Sequence, residues 1–413
     1  MFITKLESLR GIAALVVAIS HSLIVFSVDH NQTIWLSRFY ETDGLQSLVT
    51  SLLLIPFNGG AAVTIFFVLS GYVLGLSLDK RPLKIAGVFS FYIRRIFRIY
   101  PAYIVSLLII ISSIYFFHTY IEFPNTSTWF NWWFTSEISL PNAAKNISML
   151  EINLNPIAWT LRVELVMSFF FPFAYVLSRK IGEKSNLVIL ALLVALSFNY
   201  SSNIYFRFGF VFYLGLLLPI IIEKLDTYAS KRKYNIILAV SIIFLLFSRI
   251  LFLKSNIFYA ILLEGIFSSL IIAIIADTKT TVFLSRILDL DITRKLGRLS
   301  FSFYIYHFIV LYWLSYCLLL IVSPEVTGRY PLPLGILLAI VSVSICYYVS
   351  IISYQWVEQP MIKCGAITAE NLTHFISNLS VPISLDMRLN RYKRYLHKRR
   401  LAVSLLFKNK YWS

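Results

Sequence analysis

Arg10 and His21 stand eleven residues apart near the start of the chain, in the apolar run LRGIAALVVAISH. On an α-helix this spacing is three full turns plus roughly 20°, so both side chains would face the same way, roughly 16 Å apart along the axis. A guanidinium binds anions, and an imidazole can accept a proton or carry an acyl group. We expect both residues to line one passage for a ligand with an anionic head and a long reactive arm. The structural alternative is a snorkelling arginine and a histidine bonded to a neighbouring hydroxyl.

Three more arginines, Arg94, Arg95 and Arg98, lie in the segment YIRRIFRIYP. Arg94 and Arg98 are one helical turn apart, so their guanidinium groups share one face of a helix. Like charges at this spacing repel unless an anion lies between them, and guanidinium groups suit phosphate well. The cluster therefore indicates an anion site, although charges that only set membrane topology would look the same.

Glu164 follows Trp159 and Arg162 in the segment AWTLRVE, at the start of an apolar run. A carboxylate inside a membrane-spanning helix costs several kcal/mol and is by default a functional candidate. Glu164 could orient an imidazole or stabilise its charged form, pair with Arg162, or hold a substrate hydroxyl. Trp159 would anchor its helix at the membrane surface.

Polar groups also interrupt two other apolar runs, FFVLSGYVL and LSFSFYIYH. Ser70, in the first run, favours close helix packing over catalysis, because small residues let membrane helices approach each other. Tyr304 and His307 lie in the second run. His307 is either a second reactive imidazole or, as we favour, a polar core group bonded to another helix. Because the two intramembrane histidines lack a close third ligand in the sequence, no metal site is predicted.

Glu358 lies in the segment YQWVEQP, which the predicted topology places near the arginine cluster. We interpret Glu358 as one partner of a structural ion pair with those arginines. Pro360 follows it and is expected to end the helix, because proline has no backbone N–H to continue the hydrogen-bond ladder.

Membrane helices must position these residues, because 58% of the 413 residues are hydrophobic and only 14% are charged. Soluble domains carry about 25% charged residues, so a cytosolic enzyme and a disordered chain are both excluded. Three cysteines are too few for a disulfide framework. A membrane-spanning helix needs about 20 apolar residues. Ten such segments are predicted, at 8–28, 58–78, 99–118, 158–178, 186–199, 204–222, 235–253, 257–276, 299–322 and 333–356.

Lysine and arginine are distributed unevenly along this predicted all-α, polytopic helical bundle. With the N-terminus in the cytosol, cytoplasmic segments hold 30 of the 37 basic residues and outer segments hold six. This bias follows the positive-inside rule and predicts that both termini are cytoplasmic. It also explains the net charge of +17, so nucleic acid is not a predicted partner. The basic residues 388–400 of the tail could lie on anionic lipid headgroups.

The longest outer segment, about 119–157, contains Trp129, Trp132 and Trp133 among asparagine and serine residues. Tryptophan at such positions usually marks the membrane interface. The functional alternative is a platform on which a sugar ring stacks.

Taken together and in this order, the motifs resemble the membrane acyltransferase-3 family over about residues 5–360. The matching pieces are LRGIAALVVAISH, FFVLSGYVL, RRIFRIYP, AWTLRVE, LGRLSFSFYIYH and VEQP. The resemblance implies a bacterial inner-membrane protein of ten helices that moves acyl groups, usually acetyl, from cytosolic acyl-CoA. The acceptors it implies are hydroxyls of surface polysaccharide, lipopolysaccharide, peptidoglycan, lipid-linked saccharides or small molecules.

The resemblance assigns Arg10 and His21 to the essential pair of the family. Its cytoplasmic arginine motif corresponds to Arg94, Arg95 and Arg98, so we expect these residues and Arg10 to bind the phosphates of acyl-CoA. The thioester would then reach His21, which either acts as general base on the acceptor hydroxyl or carries the acyl group itself. The expected catalytic residues are His21, Glu164 and Arg10, with Glu164 orienting the imidazole or stabilising its charged form.

Further residues are candidates for contacting a substrate or lining the passage: Ser70, Trp159, Arg162, Tyr304 and His307. The chain departs from the family pattern at Arg162, where a small residue is usual, and at Leu165, where an acidic residue is frequent. Both departures would alter substrate contacts on the outer side.

Two parts of the chain are predicted, a transmembrane acyltransferase domain at 1–360 and a basic cytoplasmic tail at 361–413. We expect no appended extracytoplasmic domain, so transfer would take place within the membrane. The expected partners are acyl-CoA, a glycan or lipid-linked saccharide, and membrane lipids. Acetyl-CoA would be a co-substrate and not a permanently bound cofactor.

The main alternative is a proton-coupled transporter or flippase for a glycan-type substrate, because charged groups in mid-membrane also mark ion-coupled transport. Such carriers often contain internal repeats and broken helices in matching halves, which the sequence does not suggest. A non-catalytic scaffold for glycan assembly would leave the intramembrane ionisable residues unexplained.

Overall fold

The protein is an all-helical bundle, as the composition predicts. The computed structural model describes residues 4–80, 85–135, 138–225, 231–252, 255–276 and 282–378. Within these ranges the β-type pairing is limited to two isolated bridges, one between Phe26 and Thr126 and one between Val28 and Asn31.

Ten long helices, α1 to α10, form the bundle within the described ranges. Their bounds are Thr4–Leu23 (α1), Gly59–Asp79 (α2), Ile85–Phe117 (α3), Ala158–Lys180 (α4), Glu183–Asn199 (α5), Ile204–Leu225 (α6), Lys231–Leu251 (α7), Ile257–Ala276 (α8), Asp291–Ile321 (α9) and Pro331–Ser353 (α10). Among the residues described, nine of these, all but α5, are long and apolar enough to cross a membrane. Helix α5 has 17 residues, which is the lower limit for spanning a bilayer.

Helices α1 and α9 run in the same direction, and this shows that α5 also crosses. Gly11 packs against Gly297, and His21 contacts His307 ten residues further along both helices. A constant offset of 286 residues between contacting positions means that the two helices are parallel. If α5 did not reverse the chain, α9 would be the eighth crossing and would run antiparallel to α1.

Helices α2 and α6 lead to the same conclusion. Phe67 packs against Phe208, with ring centroids 4.7 Å apart, and Gly75 packs against Leu216 at the same offset in sequence. These helices are therefore parallel as well, which again requires α5 to cross. The directions of the described helices thus match the ten crossings that the sequence predicts, and an even number of crossings would leave both ends of the bundle on one side.

The close approach of α1 and α9 depends on glycine at both contact positions. A methyl group on Gly11 would lie 2.6 Å from the backbone nitrogen of Gly297, and one on Gly297 would lie 2.6 Å from the backbone of Glu7. Small residues of this kind let membrane helices pack backbone to backbone.

Replacing Gly297 with alanine is expected to lower the free energy of unfolding by about 1–3 kcal/mol, because overpacking forces the two backbones apart. Thermal denaturation in detergent measures this loss. Gly209→Ala is the matched control, since no atom outside its own stretch of helix lies within 4 Å of the position that its methyl group would take. Equal stability of the two variants would contradict the packing argument.

Helix α10 does not end at Pro360, and this corrects our prediction. After Ser353 the chain makes a π-helical turn at Tyr354–Glu358 and continues as a helix over Gln359–Asn378. In the π-turn the amide of Gln359 bonds to the carbonyl of Tyr354, five residues back. This shift of the hydrogen-bond ladder accommodates the missing N–H of a proline just beyond it.

The helical continuation Gln359–Asn378 packs along α3, close to the predicted phosphate-binding arginines. Gly365 lies against the ring of Phe97, and the carbonyl of Ala366 accepts a hydrogen bond from Arg94 at 3.3 Å. The first part of the predicted tail is therefore part of the bundle. The basic segment 388–400 lies outside the described residues.

Seven short helices connect the long ones: the 3₁₀ turns Ile34–Leu36 and Phe39–Glu41, and the α-helical segments Leu45–Leu53, Thr128–Asn131, Leu140–Ile147, Phe283–Leu288 and Pro324–Arg329. The segment after α1 pairs with residues near Thr126: Ser27 N–H bonds to the carbonyl of Asn125, and Ser127 N–H to that of Val25, both at 2.9 Å. Ser127 also caps the helix Thr128–Asn131. This pairing fixes Trp129 above the end of α1.

Candidate functional site

The histidines of α1 and α9 form a hydrogen-bonded pair. Nδ1 of His21 lies 3.2 Å from Nε2 of His307, and the two rings are stacked with centroids 5.3 Å apart. Nδ1 of His307 bonds in turn to the backbone carbonyl of Tyr304 at 2.6 Å. The parallel packing of α1 and α9 sets this register. His307 is thus bonded to another helix, and it is buried, with 2% of its surface exposed.

Trp129 stacks on the His21 ring. The two ring centroids are 5.0 Å apart and the planes are nearly parallel, at 30°. The sequence pattern predicts Trp129 only as an interface marker or as part of a platform for a sugar ring. Its contact with His21 depends on pairing between distant loops, and no local pattern signals it.

His21 lines a cavity of about 580 Å³ at the end of α1 that the charge distribution predicts to face away from the cytosol. We call this the outer cavity. Its lining includes Trp129, Trp133, Trp159, Tyr304, Arg207 and Arg249. The outer cavity therefore combines one imidazole with several aromatic faces and two guanidinium groups.

A buried ion pair at the edge of the outer cavity was not anticipated from the sequence. Arg249 donates two hydrogen bonds to Glu264, at 2.7 and 3.1 Å, and the Glu264 carboxylate also accepts from Thr64 and Ser248. Glu264 is fully buried. The sequence does contain a signal for this ion pair, because Glu264 is an acidic residue within an apolar span and such a residue is a functional candidate by default.

A second cavity, of about 190 Å³, lies at the opposite end of the bundle. We call it the inner cavity, because it lies at the end of α1 that the charge distribution predicts to face the cytosol. Its polar lining consists of Arg10, Arg94, Arg95, Arg98, Ser70, Ser77 and Glu164. The structure thus brings the predicted arginine cluster together with Arg10 in one small space.

Glu164 belongs to the inner cavity, and it contacts neither His21 nor Arg162. Its carboxylate accepts a hydrogen bond from Arg95 at 2.5 Å and one from Ser70 at 3.0 Å. We expected Glu164 to orient the imidazole, but the group bonded to His21 is His307. Glu164 instead fixes one arginine of the cluster, and Ser70 contributes a hydrogen bond there.

The arginines of the inner cavity are only partly neutralised. Arg94 forms a salt bridge with Glu370 at 3.1 Å, and Arg95 forms one with Glu164. For Arg10 and Arg98 the described part of the chain supplies neither a hydrogen-bond partner nor a carboxylate within 4.0 Å. Two guanidinium groups on one small cavity thus form no direct ion pair with a described carboxylate, which is an arrangement suited to an anionic ligand.

Two predicted roles need correction. Glu358 accepts a hydrogen bond from Ser302 at 2.8 Å, whereas no guanidinium of the described residues lies within 4.0 Å of it. Arg98 and Arg10 act on this buried carboxylate through space only. Arg162 lines neither the outer nor the inner cavity, because it bonds to the carbonyl of Leu150 at 3.1 Å.

Arg10 and His21 do not share one passage, contrary to our expectation. The outer and inner cavities have no lining residue in common. Phe66 lies between Val63 of the outer cavity and Leu69 of the inner cavity along α2, and Thr160 lies between Trp159 and Glu164 in the same way along α4. Tyr304, which lines the outer cavity, contacts both, and we call these three side chains the Tyr304 layer. The hydroxyls of Tyr304 and Thr160 are hydrogen-bonded at 3.1 Å, and Phe66 packs edge-on against Tyr304.

The Tyr304 layer is thin. Thr160 and Phe66 each lie four residues before a lining residue of the inner cavity, Glu164 and Ser70 respectively. Four residues correspond to a rise of about 6 Å along a helix. The nearest lining residues of the two cavities on one helix, Trp159 and Glu164 on α4 and Val63 and Leu69 on α2, are five and six residues apart. Roughly one and a half helical turns, about 7–9 Å, therefore separate the two cavities.

Comparison with known proteins identifies the chain as a family member. The family model for the acyltransferase-3 type, described as "Acyltransferase domain", matches residues 3–351. A search among curated proteins and a search among solved structures each return no match. The match covers most of the 413 residues and includes every element that lines the two cavities except the helical continuation after α10. This multi-pass helical membrane protein therefore belongs to the acyltransferase-3 family of membrane acyltransferases.

Proposed function

We propose that the protein transfers an acetyl group from cytosolic acyl-CoA to a hydroxyl of a saccharide, as an O-acetyltransferase of the bacterial inner membrane. One observation carries this proposal: α1 bears a cationic inner cavity at one end and an imidazole in a polar and aromatic outer cavity at the other. A donor with an anionic head and a reactive tip fits such a pair of cavities. The acceptor is a surface polysaccharide, a lipopolysaccharide or a lipid-linked glycan.

The inner cavity is where the phosphates of acyl-CoA bind. Arg10 and Arg98 supply the two guanidinium groups that form no direct ion pair within the described residues, and charge-assisted hydrogen bonds to phosphate are among the strong ones. The salt bridge to Glu164 holds Arg95 in place, so that its guanidinium group does not move onto the bound ligand. Arg94 is engaged by Glu370 and by the carbonyl of Ala366, so its role in binding would require that contact to open.

The acyl arm crosses the Tyr304 layer to reach the outer cavity. A separation of about one and a half helical turns is within the reach of a long, narrow, flexible chain, provided that the side chains of Tyr304 and Phe66 rotate aside. Arg10 and His21 are roughly 16 Å apart along α1. In this proposal Arg10 binds the donor and does not take part in the chemical step.

His21 acts as the general base in the outer cavity. The acceptor oxygen attacks the thioester carbonyl carbon while its proton passes to His21, and the new C–O bond forms. The tetrahedral intermediate then collapses, the C–S bond breaks, and the departing thiolate of CoA takes the proton from His21. The histidine returns to its starting state, so no further reactant is needed.

The acceptor is assigned as a saccharide on the basis of a second space next to the outer cavity. This space, of about 500 Å³, shares Trp133 with the outer cavity. Its lining includes Trp132, Tyr120, Gln32, Glu122, Asn142 and Asn153. Flat aromatic faces next to amide and carboxylate groups suit a ligand with apolar ring faces and many hydroxyls. Trp132, 75% exposed, presents the most open of these faces.

The test of the function uses the detergent-purified protein with acetyl-CoA and an extract of bacterial cell-surface glycan. We expect release of free CoA thiol that depends on the glycan, together with a glycan product heavier by one or more acetyl groups in mass spectrometry. Thiol release with an acetylated product supports the proposal. A purified protein that neither binds acetyl-CoA nor releases thiol, yet moves saccharide across a proteoliposome membrane, would establish the transporter alternative instead.

Trp132→Ala is expected to raise the KM for the glycan about fivefold, because aromatic stacking contributes about 1 kcal/mol. The KM for acetyl-CoA should stay unchanged, since Trp132 lies on the outer side. Steady-state kinetics with each substrate varied in turn measures both constants. Trp356→Ala is the matched control, because Trp356 is equally exposed, at 76%, and lies on the π-turn that follows α10. An unchanged glycan KM in the Trp132 variant would show that Trp132 is not part of the acceptor site.

A further inference from the structure

The carbonyl of Tyr304 determines where the protons lie on both histidines. A carbonyl oxygen can only accept, so Nδ1 of His307, 2.6 Å away, must carry a proton and donate it to this bond. In a neutral imidazole only one nitrogen is protonated. Nε2 of His307 is therefore an acceptor.

The tautomer of His21 follows from that of His307. Nδ1 of His21 lies 3.2 Å from the acceptor Nε2 of His307, so Nδ1 is the protonated nitrogen of His21 and donates to this bond. Nε2 of His21 then bears a free lone pair. In the described part of the chain Nε2 has no hydrogen-bond partner, and the ring lines the outer cavity.

From this chain of hydrogen bonds we infer that His307 is a positioning residue, which holds His21 in the one tautomer whose Nε2 lone pair faces the acceptor hydroxyl. The inference rests on the proposed function and adds a residue that does not touch the substrate. It depends on two hydrogen bonds, from His307 Nδ1 to the Tyr304 carbonyl and between the two histidines, and on the fact that a carbonyl oxygen cannot donate a proton.

His307 has a second effect during transfer. When His21 takes the proton of the acceptor hydroxyl on Nε2, the ring becomes an imidazolium and Nδ1–H becomes a stronger donor. The neutral Nε2 of His307 accepts this bond and so stabilises the charge, much as a carboxylate does behind other catalytic histidines. When the thiolate takes the proton back, both rings return to their starting tautomers.

The rings have little freedom to adopt another arrangement. His307 is buried on α9, whose distance from α1 is fixed by the glycine contact near the start of both helices. Trp129 stacks on the ring of His21. Rotation of either ring would break the bond to the Tyr304 carbonyl or the stacking contact.

The direct test is nitrogen NMR of the full-length protein in lipid nanodiscs with ¹⁵N-labelled histidine. The chain has six histidines, and a His21→Asn sample and a His307→Gln sample assign the two relevant sets of signals. We expect Nδ1 of His21 to be protonated, Nε2 of His21 to be unprotonated, and a correlation across the bond between Nδ1 of His21 and Nε2 of His307. An unprotonated Nδ1 on His21 in the unmodified protein would overturn the inference.

A pair of variants extends the test to the reaction. Gln offers an acceptor oxygen near the position of Nε2, whereas Leu offers none. We expect His307→Leu to lower kcat for acetyl transfer about 100-fold, the order of a general-base contribution, with the KM for acetyl-CoA unchanged. His307→Gln should recover at least about tenfold of that loss by restoring the acceptor.

His118→Gln is the matched control, because His118 is a half-buried histidine bonded to Tyr312 at 2.8 Å, outside both cavities. It should leave kcat unchanged. If both the Leu and the Gln variant lose kcat equally while His21 keeps its tautomer, His307 contributes only packing and does not position His21. If the NMR result holds while no variant or parent transfers acetyl, the proton arrangement stands and the proposed function fails, so the two outcomes are distinguishable.

Discussion

Replacing His21 with alanine is expected to reduce acetyl transfer by about 10²–10⁴-fold, which is the contribution of a general base. The variant removes the only imidazole that lines the outer cavity among the described residues. It leaves the inner cavity intact, so acetyl-CoA should still bind with its original affinity. Thiol release and product mass, measured on purified protein, give the rate, and binding is measured separately by equilibrium dialysis.

The variant must be shown to fold, because His21 is also part of the contact between α1 and α9. Accumulation in the membrane and a monodisperse profile in detergent serve this purpose. His118→Ala changes a histidine whose bond to Tyr312 lies elsewhere on the outer side, and it should retain activity. Full activity of the His21 variant would refute the role of His21 as base and as acyl carrier alike.

Arg98→Gln is expected to raise the KM for acetyl-CoA about 10- to 100-fold, since a hydrogen bond to a charged group contributes about 1.5–3 kcal/mol. Arg98 is the most informative arginine of the cluster, because in the described residues it has no carboxylate partner within 4.0 Å. Its removal therefore breaks no direct ion pair and weakens only through-space interactions, such as that with Glu358. Loss of affinity can then be assigned to the missing contact with the ligand.

The same measurement on Arg38→Gln provides the control. Arg38 is an outer-surface arginine that bonds to Tyr40 at 2.7 Å and lies far from the inner cavity in the predicted topology. Its KM for acetyl-CoA should equal that of the unmodified protein. If Arg98→Gln binds acetyl-CoA with unchanged affinity at low salt, where charge interactions are strongest, the inner cavity is not the phosphate site.

The helices were predictable because each carries its own signal. Runs of about 20 apolar residues and the lysine and arginine bias together specify ten crossings. The short α5 is the borderline case, with 17 residues. The inference that α5 crosses depends on the parallel alignment of α1 with α9, which is a property of the assembled bundle.

The sequence identified most residues of the site but not their partners. His21 and His307 stood out as ionisable groups in apolar runs, yet their contact spans 286 residues and depends on the glycine packing of α1 and α9. Glu164 was assigned to an imidazole, and it contacts Arg95 instead. Spacing along one helix gives the direction of a side chain, whereas its neighbour on another helix depends on the packing of the whole bundle.

Pro360 shows a second limit of local rules. Proline usually ends a helix because it cannot donate the next backbone hydrogen bond. Here the π-turn before it has already shifted the ladder, so the helix continues and brings Glu370 to Arg94. No sequence pattern predicts the π-turn, so the proline alone leads to the prediction that the helix ends there.

The Tyr304 layer has a consequence for the energetics of the cell. Two substrates meeting from opposite sides through one open channel would let protons and salt leak, and the membrane potential would be discharged. In the proposed mechanism, only the acyl arm displaces the side chains of the Tyr304 layer, and the arm itself fills the opening that it makes. The acyl group would then cross without discharging the membrane potential.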